Sequence, residues 1–145
     1  MNDNLDCEIR QSLDRISSKM RRNYNESLRQ INLYVGQENL LYRLWQDDGI
    51  TQRKICEHLK CEPPTVTNMV KSLEQNGFVY RKRDEQDARA TRIYLTDKGK
   101  EAEKPVDLKW KQAQDKLLDS ISPEERLVLK KLLKTMENNL SSDSV

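Results

Sequence analysis

Leu5, Ile9, Leu13, Ile16 and Met20 recur every three or four residues, and Leu28 and Ile31 continue the stripe. That spacing predicts a long first helix with one narrow apolar seam, a shape that packs against another helix. Asn32 to Val35 break the pattern, and Gly36 ends the break. A second helix follows in GQENLLYRLWQDD, with Leu40, Leu41, Leu44 and Trp45 inward and Gly49 as its end. Thr51 is suited to cap a short third helix, Gln52 to Leu59, carrying Ile55 and Leu59. Pro63 and Pro64 suit the first turn of a fourth helix, which runs to Asn76 with Val66, Met69, Val70 and Leu73 on its buried face. Gly77 then takes the C′ position.

After Gly77 the period changes from near 3.6 to 2. Phe78, Val79 and Tyr80 open one strand, and Arg92, Ile93, Tyr94 and Leu95 alternate in another. Between them the charged stretch RKRDEQDARA reads as the extended tip of a β-hairpin. Thr96 caps a helix from Asp97 to about Asp119, with an interruption expected at Pro105. Ser122-Pro123-Glu124-Glu125 matches a capping box and starts a last helix with Leu129, Leu132, Leu133, Met136 and Leu140 on one face. The tail SSDSV is expected to fray. The fold class is therefore mainly α with a small β-hairpin: a winged helix-turn-helix over residues 36–99, flanked by helical regions, 1–35 and 100–145, that serve dimerisation.

Composition sharpens this picture in two ways. In a chain of 145 residues, apolar residues are 35% and charged residues 34%, so the core is thin and association with a second copy is favoured. The net charge of +2 says little, but from Thr65 to Arg83 four basic residues (Lys71, Arg81, Lys82, Arg83) face Glu74 alone. A local basic patch on a near-neutral protein fits phosphate contacts, and equally a solvated face. Three cysteines, an odd count, and a first decade MNDNLDCEIR without a basic start or apolar run predict reduced thiols in a soluble, cytoplasmic protein. No apolar run is long enough for a membrane span.

Two short helices, a turn and a hairpin, in that order, carry the candidate function. The helix from Pro63 presents Thr65, Thr67, Asn68, Lys71 and Ser72, short side chains that let the backbone approach a major groove. Its N-terminal N–H groups are expected to meet a phosphate. The hairpin carries Arg81, Lys82, Arg83, Arg89 and Arg92, and an arginine at its tip suits a narrow minor groove. Taken singly, each feature is also what any exposed helix or turn shows; their conjunction is specific.

GQENLLYRLWQDDGITQRKICEHL, EPPTVTNMVKSLEQNGFV and RDEQDARATRIYLTDKG together resemble the MarR family of bacterial transcription regulators, and the last is the most specific. Its Asp84, Asp87, Arg89, Ile93, Leu95, Thr96 and Gly99 match the family's wing. The resemblance implies double-stranded DNA as partner. Thr65, Thr67, Asn68, Lys71 and Ser72 would lie at the major groove, Arg89 in the minor groove held by Asp87, and Arg81 and Arg83 on the phosphate backbone. It further implies a homodimer on a palindromic operator, acting as a repressor and released by a small aromatic or lipophilic effector. Tyr24, Tyr34, Tyr42 and Trp45, with Trp110, would line that effector's cavity, although ordinary core packing explains them as well. Asn68 and Ala88 depart from the arginines common at those places, which puts the operator sequence in doubt.

Cys56, His58 and Cys61 do not have zinc spacing, so neither metal nor cofactor is expected. Cys7 offers a redox-sensing alternative, but its neighbours Asp3, Asp6 and Glu8 are acidic and no aromatic lies beside it. A protein-binding winged helix is a further alternative, opposed by Lys71, Arg81, Arg83 and Arg89. No phosphate loop, nucleophile elbow or HExxH motif points to an enzyme.

Overall fold

The alternation of apolar and polar positions is realised in the structure, a computed structural model that describes residues 3–141. The elements in chain order are α1 (Asp3–Arg29), α2 (Gln37–Gln46), α3 (Gln52–Leu59), α4 (Pro63–Gln75), β1 (Val79–Arg83), β2 (Thr91–Leu95), α5 (Asp97–Glu101), α6 (Glu103–Leu117) and α7 (Pro123–Ser141). The chain forms two compact units, Met1–Ala113 and Gln114–Val145. No described helix is long and apolar enough to cross a membrane.

One core organises the first unit. Leu40, Leu41 and Leu44 of α2, Ile55 of α3, and Val66, Val70 and Leu73 of α4 are buried together with Leu28, Leu33, Ile50, Phe78, Val79, Ile93, Leu95, Ala102 and Val106. Each such aliphatic side chain stabilises the fold by about 1.5–3 kcal/mol relative to leaving it exposed. The inward positions expected of α2 and α4 are thus filled as their spacing demands, with Trp45 and Met69 half-buried at the edge of the cluster.

The hairpin is antiparallel, with Val79 opposite Leu95, Arg81 opposite Ile93 and Arg83 opposite Thr91. Arg81, Lys82 and Arg83 therefore lie in β1, not in the hairpin tip where their polarity placed them. Pairing with β2 holds their backbone extended while their side chains stay in water. The tip is only 84–90, closed by Asp84 N–H donating to Ala90 C=O at 3.0 Å. A further edge was not visible in the periodicity. Gly49 N–H donates to Ile93 C=O, and Ile93 N–H donates to Ile50 C=O, both at 3.0 Å.

The helix expected from Asp97 to Asp119 is interrupted, as Pro105 required. It divides at Ala102 into α5 and α6, with Pro105 in the first turn of α6, where a missing N–H costs little. The capping box of α7 is formed in both directions: Glu125 N–H donates to Ser122 Oγ at 3.1 Å, and Ser122 N–H donates to Glu125 Oε1 at 2.9 Å. Leu5, Ile9, Leu13, Ile16 and Met20 of α1 are exposed in the single chain, as are Leu127, Val128, Leu132, Leu133 and Leu140 of α7. Leu129 and Met136 are half-buried. The tail 142–145 and its expected fraying lie outside the described residues.

Two glycines distinguish packing from backbone demands. Gly77 adopts φ +82°, the left-handed conformation of a helix C′ residue, and a Cβ there would meet Lys98 Cδ at an ordinary contact distance of 3.7 Å. Gly99 needs no unusual φ, but a Cβ there would collide with the Phe78 carbonyl oxygen and lie 3.1 Å from Leu95 Cδ2. Gly99→Ala is expected to lose about 1–3 kcal/mol through forced backbone movement. Gly77→Ala should lose about 1–2 kcal/mol, the cost of a Cβ in the left-handed region. Urea unfolding checks both variants; a Gly99→Ala variant as stable as the unaltered protein would contradict the collision.

Candidate nucleic-acid interface

The turn between α3 and α4 is set by local chemistry. Thr51 Oγ1 accepts from Lys54 N–H at 3.2 Å and opens α3. Lys60, at φ 53°, takes the left-handed conformation that ends it. Three residues later α4 begins at Pro63 with its partner-seeking N–H groups already accounted for. Pro63 and Pro64 have none, and the N–H groups of Thr65 and Val66 both donate to Glu62 C=O, at 3.0 and 3.3 Å. The expectation that this helix terminus binds a phosphate through its N–H groups is therefore corrected for the first turn: none of Pro63, Pro64, Thr65 and Val66 has an N–H left to point at an anion.

The side chains expected to share one face of α4 divide into two groups. Thr65, Asn68 and Lys71 are exposed. Thr67 and Ser72 are half-buried and tie α4 to its neighbours: Gln52 Nε2 donates to Thr67 Oγ1 at 2.8 Å, and Gln37 Nε2 donates to Ser72 Oγ at 2.9 Å. These two bonds brace the helix from both flanks while the exposed three stay free to meet a ligand.

The hairpin's basic residues also divide. Arg89 stands at the tip with its side chain 92% exposed, and its Nε and backbone N–H both reach Asp87 Oδ1, at 3.2 and 3.0 Å. Asp87 so sets both the loop and the direction of the guanidinium. Arg83 and Lys82 are exposed in β1, and Lys82 pairs loosely with Glu85 at 3.8 Å. Arg81 reaches back to Glu74 of α4 at 3.1 Å and joins wing to helix. Arg92 is turned inward, which separates it from the other wing arginines. Its Nη1 donates to Gly49 C=O at 2.7 Å and its Nη2 meets Asp84 at 3.3 Å. Asp84 is held below the usual carboxylate range, first by the N–H of Gln86 and then by Arg92. Arg92 and Asp84 hold the wing in place; alternation alone could not separate them from the exposed basic residues.

The aromatic residues do not form one group. Tyr24 and Tyr42 converge on Trp110 of α6, with ring centroids 6.5 and 5.7 Å away. Tyr34 is half-exposed and lies beneath the Arg29 guanidinium at 5.9 Å. Trp45 Nε1 donates to Gly99 C=O at 2.9 Å and packs against the core. Beside Tyr24 lies a residue that sequence reasoning missed. Glu38 is buried, and its carboxylate accepts from Gly36 N–H at 2.9 Å. Burial pushes the Glu38 carboxyl up, against the backbone N–H groups that lower it. The Tyr24 hydroxyl is buried without a hydrogen-bond partner, and burial, then Glu38 and Asp107, push its pKa far above the ordinary phenol value. The signal available in the sequence was a Gln-Glu pair immediately after Gly36, which caps rather than solvates. Cys7 of α1 is half-buried and accepts from Arg10 Nη2 at 3.6 Å.

Two measurements follow from these contacts. Arg92→Ala leaves the Gly49 carbonyl without its partner, removes the ion pair to Asp84, and is expected to lower stability by about 1–3 kcal/mol in denaturant unfolding. For Glu38, a native pKa above the unfolded one means that the native state binds the proton more tightly. Its contribution is favourable at low pH and is lost as pH rises through the folded pKa. Glu38→Gln should therefore raise the urea midpoint more at pH 7 than at pH 4; a uniform shift at both would contradict the burial account.

The comparisons with known proteins agree with this geometry. The profile of the MarR family matches residues 33–91, which span α2 to the start of β2. The chain is 32% identical to an uncharacterized HTH-type transcriptional regulator, YwoH of Bacillus subtilis (strain 168), over 87% of this chain and 88% of that protein. It superposes on the transcriptional regulator SlyA with a TM-score of 0.74 at 30% identity, covering 93% of this chain and 95% of that one. It also superposes on reduced AbfR bound to DNA, with a TM-score of 0.69 at 27% identity, covering 94% and 95%. A winged helix-turn-helix, matched over nearly its whole length by such regulators, places this chain in the MarR family of transcription regulators.

Proposed function

We propose that this MarR-family DNA-binding regulator is a cytoplasmic repressor that reads a palindromic operator as a homodimer and is released by a small aromatic or lipophilic effector. The observation that carries the reading is the conjunction of an exposed Thr65–Asn68–Lys71 face on α4 with the exposed, Asp87-oriented Arg89 at the wing tip. In the major groove Asn68 is suited to bidentate pairing with adenine, and Lys71 and Thr65 to contacts beside it. Thr67 and Ser72 position the helix. Arg89 enters the minor groove, and Arg81 and Arg83 neutralise phosphates along the β1 edge. The reduced AbfR structure, bound to DNA, supports this orientation by likeness of fold.

In this reading residues 36–99 are the DNA-binding domain, and 1–35 with 100–145 are the dimerisation region. The exposed seams of α1 and α7 support it, because burying side chains such as Ile9 and Leu132 contributes about 25 cal/mol for each Å² of apolar surface. Two-fold symmetry would set the recognition helices about one helical turn apart. The effector would enter beside Tyr24 and Tyr42, where an unpartnered buried hydroxyl favours a ligand with a polar atom on an aromatic body. Tyr34 and Trp45 would flank rather than line that place.

DNA from upstream of the gene tests the proposal in a gel shift. Binding should weaken steeply with salt, by a log–log slope of about 0.9 per neutralised phosphate. Arg89→Ala should bind at least roughly tenfold weaker, the equivalent of about 1.4 kcal/mol, with unchanged thermal stability. Sedimentation should give a dimer, and Ile9→Glu with Leu132→Glu should give a monomer. Salt-insensitive binding, or a fully active Arg89→Ala variant, would favour a protein-binding module instead.

A further inference from the structure

Cys56 and Cys61 have no part in the reading above, yet they occupy a defined pair of positions. Cys56 lies in the last turn of α3, and Cys61 follows the left-handed Lys60 that ends it. Cys61 N–H donates to Cys56 C=O at 3.2 Å, the six-to-one bond of a Schellman helix ending. In such an ending the side chains at these two positions frequently meet across the turn. With standard backbone bond lengths on either side of a 3.2 Å hydrogen bond, the two Cα atoms are at most about 7.4 Å apart even if collinear. The trigonal angles of about 120° at the carbonyl carbon and at the amide nitrogen shorten this limit to about 6.5 Å, inside the roughly 4.4–6.8 Å window that disulfides span. Both thiols are free and half-buried, and Cys61 Sγ donates to Leu59 C=O at 3.5 Å. Burial pushes the Cys56 thiol up, against the backbone hydrogen bond that lowers it, and the nearby Cys61, Glu57 and Glu62 charges add to the rise.

We propose that Cys56 and Cys61 are a redox modification site in the helix-turn-helix turn, closing to a reversible intramolecular disulfide when a peroxide is present. The Cys61 thiolate attacks one peroxide oxygen; the O–O bond breaks, the other oxygen leaves as water or alcohol after taking a proton, and Cys61 becomes a sulfenic acid. Cys56 then attacks that sulfur, the S–O bond breaks, and the departing hydroxide takes the Cys56 proton to leave as water. Two thiols are oxidised by two electrons and one peroxide is reduced. A dithiol reverses the change by exchange. In a reducing compartment such a bridge is transient, as a signal must be.

The location gives the bridge its consequence. One residue, Glu62, separates Cys61 from Pro63, the first residue of α4. Pro63 and Pro64 have fixed φ, so the chain between the bridge and the recognition helix has little freedom to absorb a shift. Closing the bridge draws Cys61 toward α3 and carries the N-terminal turn of α4, including Thr65, with it. The rearrangement itself does not depend on the DNA-binding reading; its effect on DNA does.

The full chain, reduced and then treated with hydrogen peroxide, tests the site directly. Trypsin cuts after Lys54, Lys60 and Lys71, so the bridge must appear as peptide 55–60 joined to peptide 61–71, in Cys7→Ser as in the unaltered protein. Amide hydrogen exchange at 65–68 should change on oxidation and return with dithiothreitol, and Cys56→Ser and Cys61→Ser should show neither change. In the gel shift, oxidised protein should bind roughly tenfold weaker or worse, as for loss of a bidentate base contact. Absence of the linked peptides, a link through Cys7, or unchanged exchange in the bridged protein would overturn the proposal. Failure of the reduced protein to bind DNA would instead overturn the regulator reading and leave the peptide and exchange results to judge the site.

Discussion

The wing is held to the helical core by the segment between α2 and α3, and the rest of the interface depends on that grip. Ile93 of β2 gives its N–H to Ile50 and its carbonyl to Gly49. Leu95 N–H donates to Asp48 Oδ1 at 2.8 Å, and Arg92 crosses to the Gly49 carbonyl. Tyr94 lies against Gly49, where a Cβ would come within 2.5 Å of its ring. A two-stranded hairpin alone is marginally stable in water. This third edge, with Ile93 and Leu95 buried beneath it, turns the hairpin into part of the core and gives Arg89 a fixed base.

The same economy runs through α4. Its apolar side is buried, its flanks are hydrogen-bonded to α2 and α3, and its first turn has used or lacks every N–H. What reaches outward is therefore side chains alone. The exposed Glu62 at that end adds a negative charge where many DNA-binding helices offer a positive dipole. On the proposed reading, affinity comes from Lys71 and the wing, and base readout from Asn68 and Thr65. Such a division makes the helix a reader more than an anchor.

Much of this was legible in the residue order. Helix positions followed from apolar spacing, and their ends from Thr51, Gly77, Thr96 and the Ser122–Glu125 box, because caps are satisfied within three or four residues. The hairpin was legible in its existence and less so in its extent, since β1 carries Arg81, Lys82 and Arg83, whose side chains read as loop while their backbone pairs with β2. Relations between distant segments were not legible. Residue order places Arg89 at the tip and Arg92 in a strand, but it does not tell that Arg92 turns inward, because that depends on Gly49 and Asp84 being nearby in space. Buried Glu38, and the separation of Tyr34 and Trp45 from the Tyr24–Trp110–Tyr42 cluster, are of the same kind.

The two tryptophans stand in unlike settings. Trp45 is hydrogen-bonded to the corner between wing and α5, while Trp110 sits between two tyrosines. Emission from Trp45 is tied to whether the wing's base is intact, and emission from Trp110 to what happens around the phenol of Tyr24. Excitation absorbed by Tyr24 or Tyr42 transfers to Trp110 across these short separations. The molecule thus contains two intrinsic optical reporters, one at the base of the wing and one beside the buried phenol of Tyr24, and replacing either indole with phenylalanine would isolate the other without an added dye.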